Sequence, residues 1–210
     1  MRFTLLISAL AATALATPLA IRQTNMTGES DSWQPAPDTQ ASCDEKTEKH
    51  ISFMRGPPLE TVINNACAAM MPVCAYHDRL PEGTACAATI DFKLDGPKTS
   101  TQHANVIDKD GNSIADWDVK CKHLLEPVNL DHTDVFLVDV TPAAQPENSA
   151  GVFWQRVDCY GYFHQILDKS SPDGCHTEAG SGVGALGVGG ETPLAGTVFN
   201  VTIAPRQGSP

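Results

Sequence analysis

Apolar residues recur along this chain with two different periods, and the periods sort it into elements. After Pro57-Pro58 they fall at Leu59, Val62, Ile63, Ala66, Cys67 and Met70. That is one stripe of an α-helix, and Pro72 ends it. A weaker stripe, with Cys159, Phe163, Ile166 and Leu167 on one face, predicts a second helix from Asp158 to Lys169. Gly161 lies inside it, and Ser170-Ser171-Pro172-Asp173-Gly174 closes it with turn chemistry. Elsewhere the period is two. Ile90, Phe92 and Leu94 alternate with Asp91 and Lys93, and Ala115, Trp117, Val119 and Cys121 alternate with Asp116, Asp118 and Lys120. Each pattern predicts a strand with one buried and one wet face. Val135–Val140 is apolar on both faces except at Asp139, which suits a central strand, and Val152–Val157 and Thr197–Ile203 add two more. In the last of these Phe199, Val201 and Ile203 face one way and Asn200 the other. Asp110-Gly111-Asn112 marks a hairpin. The order of elements predicts an α+β fold: an antiparallel sheet with two helices on one face.

The ends of the chain read differently. Arg2, an uncharged apolar run from Phe3 to Ala16 and the small-residue site Ala14-Leu15-Ala16 form the layout of a secretory signal peptide, residues 1–16. The run is shorter than the ~20 residues of a membrane span. Residues 17–42, rich in Ser, Thr, Gln, Asp and Pro, read as a pro-segment and disordered linker. A single domain over 43–205 and a short tail, 206–210, complete the expected organisation.

Secretion gives meaning to the cysteines and sequons. The seven cysteines, Cys43, Cys67, Cys74, Cys86, Cys121, Cys159 and Cys175, belong to an oxidising compartment, where they pair and staple the domain. The odd count leaves one for a disulfide-linked dimer or for none. Their spacing lacks the C-x-x-C pattern of zinc sites, so no metal is expected. Asn25-Met26-Thr27 and Asn200-Val201-Thr202 are glycosylation sequons. The net charge of −11 argues against nucleic acid and anionic membrane as partners.

Catalytic signatures fail on context. Gly182, Gly184 and Gly187 spell G-x-G-x-x-G, but no helical stripe follows, so the stretch Gly180–Gly190 reads as a flexible loop and no dinucleotide or other cofactor is expected. Asp108–Asn112 lacks the spacing and terminal Glu of a calcium loop and reads as a turn. Ser181 lacks the outer glycines of a nucleophile elbow. The remaining cluster is Asp131-His132-Thr133-Asp134 with Glu126 and His123 upstream. Histidine beside carboxylates suits acid–base work, which makes His132, Asp134 and Glu126 the candidates if the protein is an enzyme. The other histidines show no ligand spacing. Trp117 and Trp154 sit at inward strand positions and read as core, whereas Trp33 falls in the linker.

The C-terminal run Cys159-x5-Gln165-Ile166-Leu167, then Cys175, Gly189-Gly190 and Gly196-x2-Phe199, resembles the ends of fungal cysteine-rich secreted families, including effector-like and killer-toxin-like proteins. The resemblance implies a secreted helix-and-strand module with structural cysteines and no catalytic residue. Two functions follow from the sequence. The first is an extracellular interaction protein of effector or toxin type that binds a protein or glycan without catalysis. The second is a secreted hydrolase acting on glycan or cell-wall material through carboxylates or a His–Asp pair.

Overall fold

A computed structural model describes residues 33–114 and 135–205. Within them the chain forms β1 (Gln40–Cys43), β2 (Lys49–Ser52), α1 (Leu59–Met70), β3 (Phe92–Lys93), β4 (Lys98–His103), β5 (Asn105–Asp108), β6 (Val135–Thr141), β7 (Phe153–Trp154), α2 (Arg156–Asp168), β8 (His176–Thr177), β9 (Gly180–Ser181), β10 (Gly184–Gly187) and β11 (Val198–Ala204). The fold is α+β, as the periodicities predict. The main sheet is antiparallel throughout, in the order β1-β10-β11-β6-β4. Two smaller antiparallel sheets, β5-β2-β9-β8 and the ribbon β3-β7, flank it.

Register explains the core. Phe136, Val138 and Val140 on β6 pair with Ile203, Val201 and Phe199 on β11, so their side chains share one face. Both helices lie against the main sheet. On α2, Phe163 meets Phe199 edge-on at 5.3 Å between ring centroids, and Tyr162 lies 4.8 Å from the same ring. Helix α1 packs on β4 and on α2. The expected stripe of α1 is buried, apart from the partly buried Leu59. The Cys67–Cys159 disulfide joins the buried sides of the two helices. Cys43–Cys175 ties β1 to the segment after α2, and Cys74–Cys86 closes the loop after α1. Six of the seven cysteines are thereby paired; Cys121 lies outside the described residues. Among the described residues no helix is long and apolar enough to cross a membrane.

Five sequence expectations change. Helix α2 begins at Arg156, because Asp158 is the third helical residue of a capping box rather than the first helical position. The Gln155 side chain accepts from the Asp158 backbone, and the Asp158 carboxylate accepts from the Gln155 N–H at 2.9 Å. That start shortens the expected Val152–Val157 strand to β7. The expected strand at Ile90–Leu94 shrinks to β3, because Thr89 Oγ1 donates to the Asp91 carbonyl and accepts from the Asp91 N–H. This local turn leaves Ile90 61% exposed.

The linker ends earlier than residue 42. Trp33 lies over Gly161, Ala36 is buried, and β1 is an edge strand of the main sheet. The Gly-rich stretch is not a flexible loop either. It supplies β9 and β10, and Gly180, Gly182, Gly184 and Gly189 admit close backbone neighbours. A Cβ on Gly184 would strike the Ser42 carbonyl and the Cys175 sulfur, and one on Gly189 would strike the Pro37 and Asp38 carbonyls. The 108–112 segment is the hairpin turn expected. Asp108 Oδ1 accepts from the N–H groups of Asp110 and Asn112 at 2.9 and 2.8 Å, and Gly111 sits at φ +80°.

The expected signal peptide, Asn25, the expected strand around Trp117, the cluster Glu126, His132 and Asp134, and the expected tail lie outside the described residues.

Candidate functional site

The capping box that starts α2 also builds a groove. Asp158 has one partner beyond the cap: while the Gln155 N–H holds its Oδ2, its Oδ1 accepts from the Trp33 indole N–H at 3.3 Å. The Gln155 side-chain amide donates to Asp91 Oδ1 at 2.8 Å. One glutamine therefore links two carboxylates, that of Asp158 beside it and that of Asp91, 64 residues before it. Trp33 meets the Tyr162 ring edge-on at 4.8 Å, and the Ala36 N–H donates to the Tyr162 hydroxyl at 3.4 Å. These contacts hold the strap 33–37 along α2.

Between this strap, the β3-β7 ribbon and the turn before β11 lies a groove of about 750 Å³. Asp91 and Asp158 line it with Gln155. Phe153, Tyr162 and the prolines Pro35, Pro37 and Pro193 form its apolar walls, and among the described residues no Lys or Arg lines it. Burial pushes the Asp158 carboxyl above its ordinary value of 3.8; the hydrogen bonds from Gln155 and Trp33 oppose that shift without cancelling it. Burial likewise raises the Tyr162 hydroxyl.

The histidines are scattered among the described residues. His77 and His103 are exposed, and the partly buried His50 leaves its Nδ1 without a partner. His164, partly buried, stacks on Tyr160 and stands 4.0 Å from Asp168. His176 Nδ1 is 3.5 Å from Ser181 Oγ, yet that hydroxyl donates to the Leu167 carbonyl at 2.6 Å. Its proton is committed to the backbone, which is not the arrangement of a serine nucleophile with its base. Among the described residues no group of three His, Cys, Asp or Glu is placed to hold a metal ion.

Trp154 is core, as its strand position predicts. Asn200 faces away from the helices and is partly exposed, with Thr202 exposed beside it. Sequence reasoning missed the pairing of Asp91 with Asp158. The Gln155-x-x-Asp158 spacing was the legible signal, since it is that of a capping box with glutamine in place of the usual Ser or Thr.

Fold and groove together define a disulfide-stapled α+β domain with an acidic, apolar-walled groove at one helix end. Comparison with protein-family models, with curated proteins and with solved structures finds no match to this chain.

Proposed function

We propose that this chain is an extracellular interaction protein of effector or toxin type, and that the groove at the start of α2 holds its partner. One observation carries the reading. Both carboxylates of the groove are fixed as hydrogen-bond acceptors, inside apolar walls and with no lining cation among the described residues. Such a cradle suits a lysine or arginine side chain presented by an extended segment, whose charge complements the acids and whose stem lies on the aromatic and proline walls. The three disulfides agree with an oxidising, extracellular setting.

Titration with short Lys- and Arg-containing peptides, followed by calorimetry, tests it. Binding should weaken about five- to tenfold in Asp91→Asn and fall as salt rises. Binding indifferent to both changes, or none at all, refutes the reading. Asp91 is the residue to change because it is exposed and caps no helix.

A second reading rests on the same two acids. A carboxyl raised by burial beside a second carboxylate is the starting arrangement of a glycosidase. This hydrolase would use Asp158 as acid and Asp91 as its partner. It predicts turnover of neutral polysaccharide that disappears in Asp91→Asn while the fold is kept. Peptide binding without turnover favours the first reading.

A further inference from the structure

No described Lys or Arg lines the acidic groove, yet the sequence holds a cation within reach of it. Asp91 is exposed, so the groove's charge can be met from solvent. The strap that walls the groove starts at Trp33, whose indole N–H bonds to Asp158, and Gln34, Pro35 and Pro37 line it from there. The chain before Trp33 is therefore attached at the groove itself.

That preceding chain lies outside the described residues, and its sequence divides in two. Residues 23–32 carry Glu29 and Asp31, no Lys or Arg and, apart from Met26, no large apolar side chain. Asp91 and Asp158 would repel such a segment. Residues 17–22, Thr-Pro-Leu-Ala-Ile-Arg, have the opposite character. Arg22 is the one Lys or Arg between residues 17 and 45, and Leu19 and Ile21 are apolar. One cation on an apolar hexapeptide complements two carboxylates set among Phe153, Tyr162 and prolines. Length permits the contact as well. Arg22 precedes Trp33 by 11 residues, which span up to about 36–40 Å when extended. That is several times the width of a groove of about 750 Å³.

We propose, on the reading of this groove as a cradle for a cationic side chain, that residues 17–22 of the same chain fill it. Arg22 meets Asp91 and Asp158, and Leu19 and Ile21 lie on the apolar walls. An outside partner then has to displace them. A tether of this length supplies an effective concentration on the order of 1 mM. A hexapeptide with a Kd of about 0.1 mM as a free molecule would thus hold about nine-tenths of the grooves and weaken an outside peptide about tenfold.

The test compares three ¹⁵N-labelled chains: one beginning at Thr17, the expected mature start, one beginning at Gln23, and an Arg22→Gln variant of the longer chain. The Trp33 indole N–H and the Gln155 side-chain NH₂ should resonate differently in the first two, with Arg22→Gln close to the shorter chain. The amidated peptide Thr-Pro-Leu-Ala-Ile-Arg, added to the shorter chain, should return these resonances saturably toward their positions in the longer one. An unrelated Arg-containing peptide should bind the shorter chain about tenfold more tightly. There, without a competitor, the Asp91→Asn effect on that peptide is read in full. Identical groove resonances in all three chains overturn the proposal. So do differences that vanish on dilution, since they would place the segment in the groove of a second copy. Equal peptide affinity for the longer and shorter chains, with identical groove resonances, overturns self-occupation and leaves the outside partner standing. Groove resonances that differ as expected, while no outside peptide binds either chain, do the reverse.

Discussion

Gly161 offers a sign test of how the acidic groove is held together. In an exposed helix interior, Gly→Ala stabilises by about 1 kcal/mol, because glycine loses more backbone freedom on folding. Here the methyl group would land inside the Trp33 indole, and Trp33 would have to leave. Its departure costs the edge-on contact with Tyr162, about 0.5–1.5 kcal/mol. It also costs the 3.3 Å hydrogen bond to Asp158, about 1 kcal/mol. Part of the indole is re-exposed, for about a further 1 kcal/mol. Set against the helix gain, Gly161→Ala should destabilise the domain by about 1–3 kcal/mol. With a urea m-value of about 2 kcal/mol/M, the midpoint should drop by roughly 0.5–1.5 M.

The assay is urea unfolding followed by far-ultraviolet circular dichroism, which does not depend on the indole being moved. Trp33→Ala supplies the second arm. Once the indole is gone the methyl group meets no obstacle from it, so Gly161→Ala made in that background should stabilise by about 1 kcal/mol. The same substitution thus changes sign with residue 33. A Gly161→Ala protein as stable as the parent, or the same effect in both backgrounds, would refute the placement of Trp33 on α2 and the strap with it.

Three further outcomes follow from the structure. Burial raises the Asp139 carboxyl above its ordinary 3.8 and leaves its Oδ1 without a partner, so the folded state binds that proton more tightly than the unfolded chain. Its contribution to stability is therefore lost as pH rises from 3.8 through the raised value. Asp139→Asn should gain on the parent across that window in urea midpoints measured at successive pH values; a constant difference would be the wrong result. Graded reduction with mass mapping should open Cys74–Cys86 first, since Cys74 and Cys86 are partly exposed, and Cys67–Cys159 last, since both of its cysteines are fully buried. Loss of the Cys67–Cys159 link, which spans 92 residues, should cost about 4–5 kcal/mol in the chain-entropy account; early opening of this bridge would contradict the packing of the helices. Glycopeptide analysis of protein secreted from a glycosylating host should find Asn200 occupied, because it faces out of the sheet, and an unmodified Asn200 would refute that expectation.

The elements that could be read from sequence are those with one dry side. The stripe of α1, the alternation of β11 and the apolar run of β6 each bury a regular set of positions, so the period of the side chains states the element. β10 carries no such statement. Leu186 is its one fully buried side chain, and Gly184 is selected by how near the Ser42 carbonyl and the Cys175 sulfur approach. A constraint of that kind lives between segments and leaves no period in either.

The acidic groove was hidden for a related reason: its polar residues have local occupations, and the strap that walls it comes from far away in the chain. Asp158 caps a helix, Gln155 completes the cap, Asp91 closes a small turn, and Trp33 stands 125 residues from its hydrogen-bond partner. The chemistry emerges only when these local solutions are brought to one place, with Gln155 donating to Asp91 while its backbone holds Asp158. The same overlap decides how the groove must be probed. A change at Asp158 removes the cap and the Trp33 contact along with any ligand contact, so lost binding there reports on the fold as much as on recognition. Asp91 gives the groove half its charge while standing at an exposed turn, and its substitution separates the two.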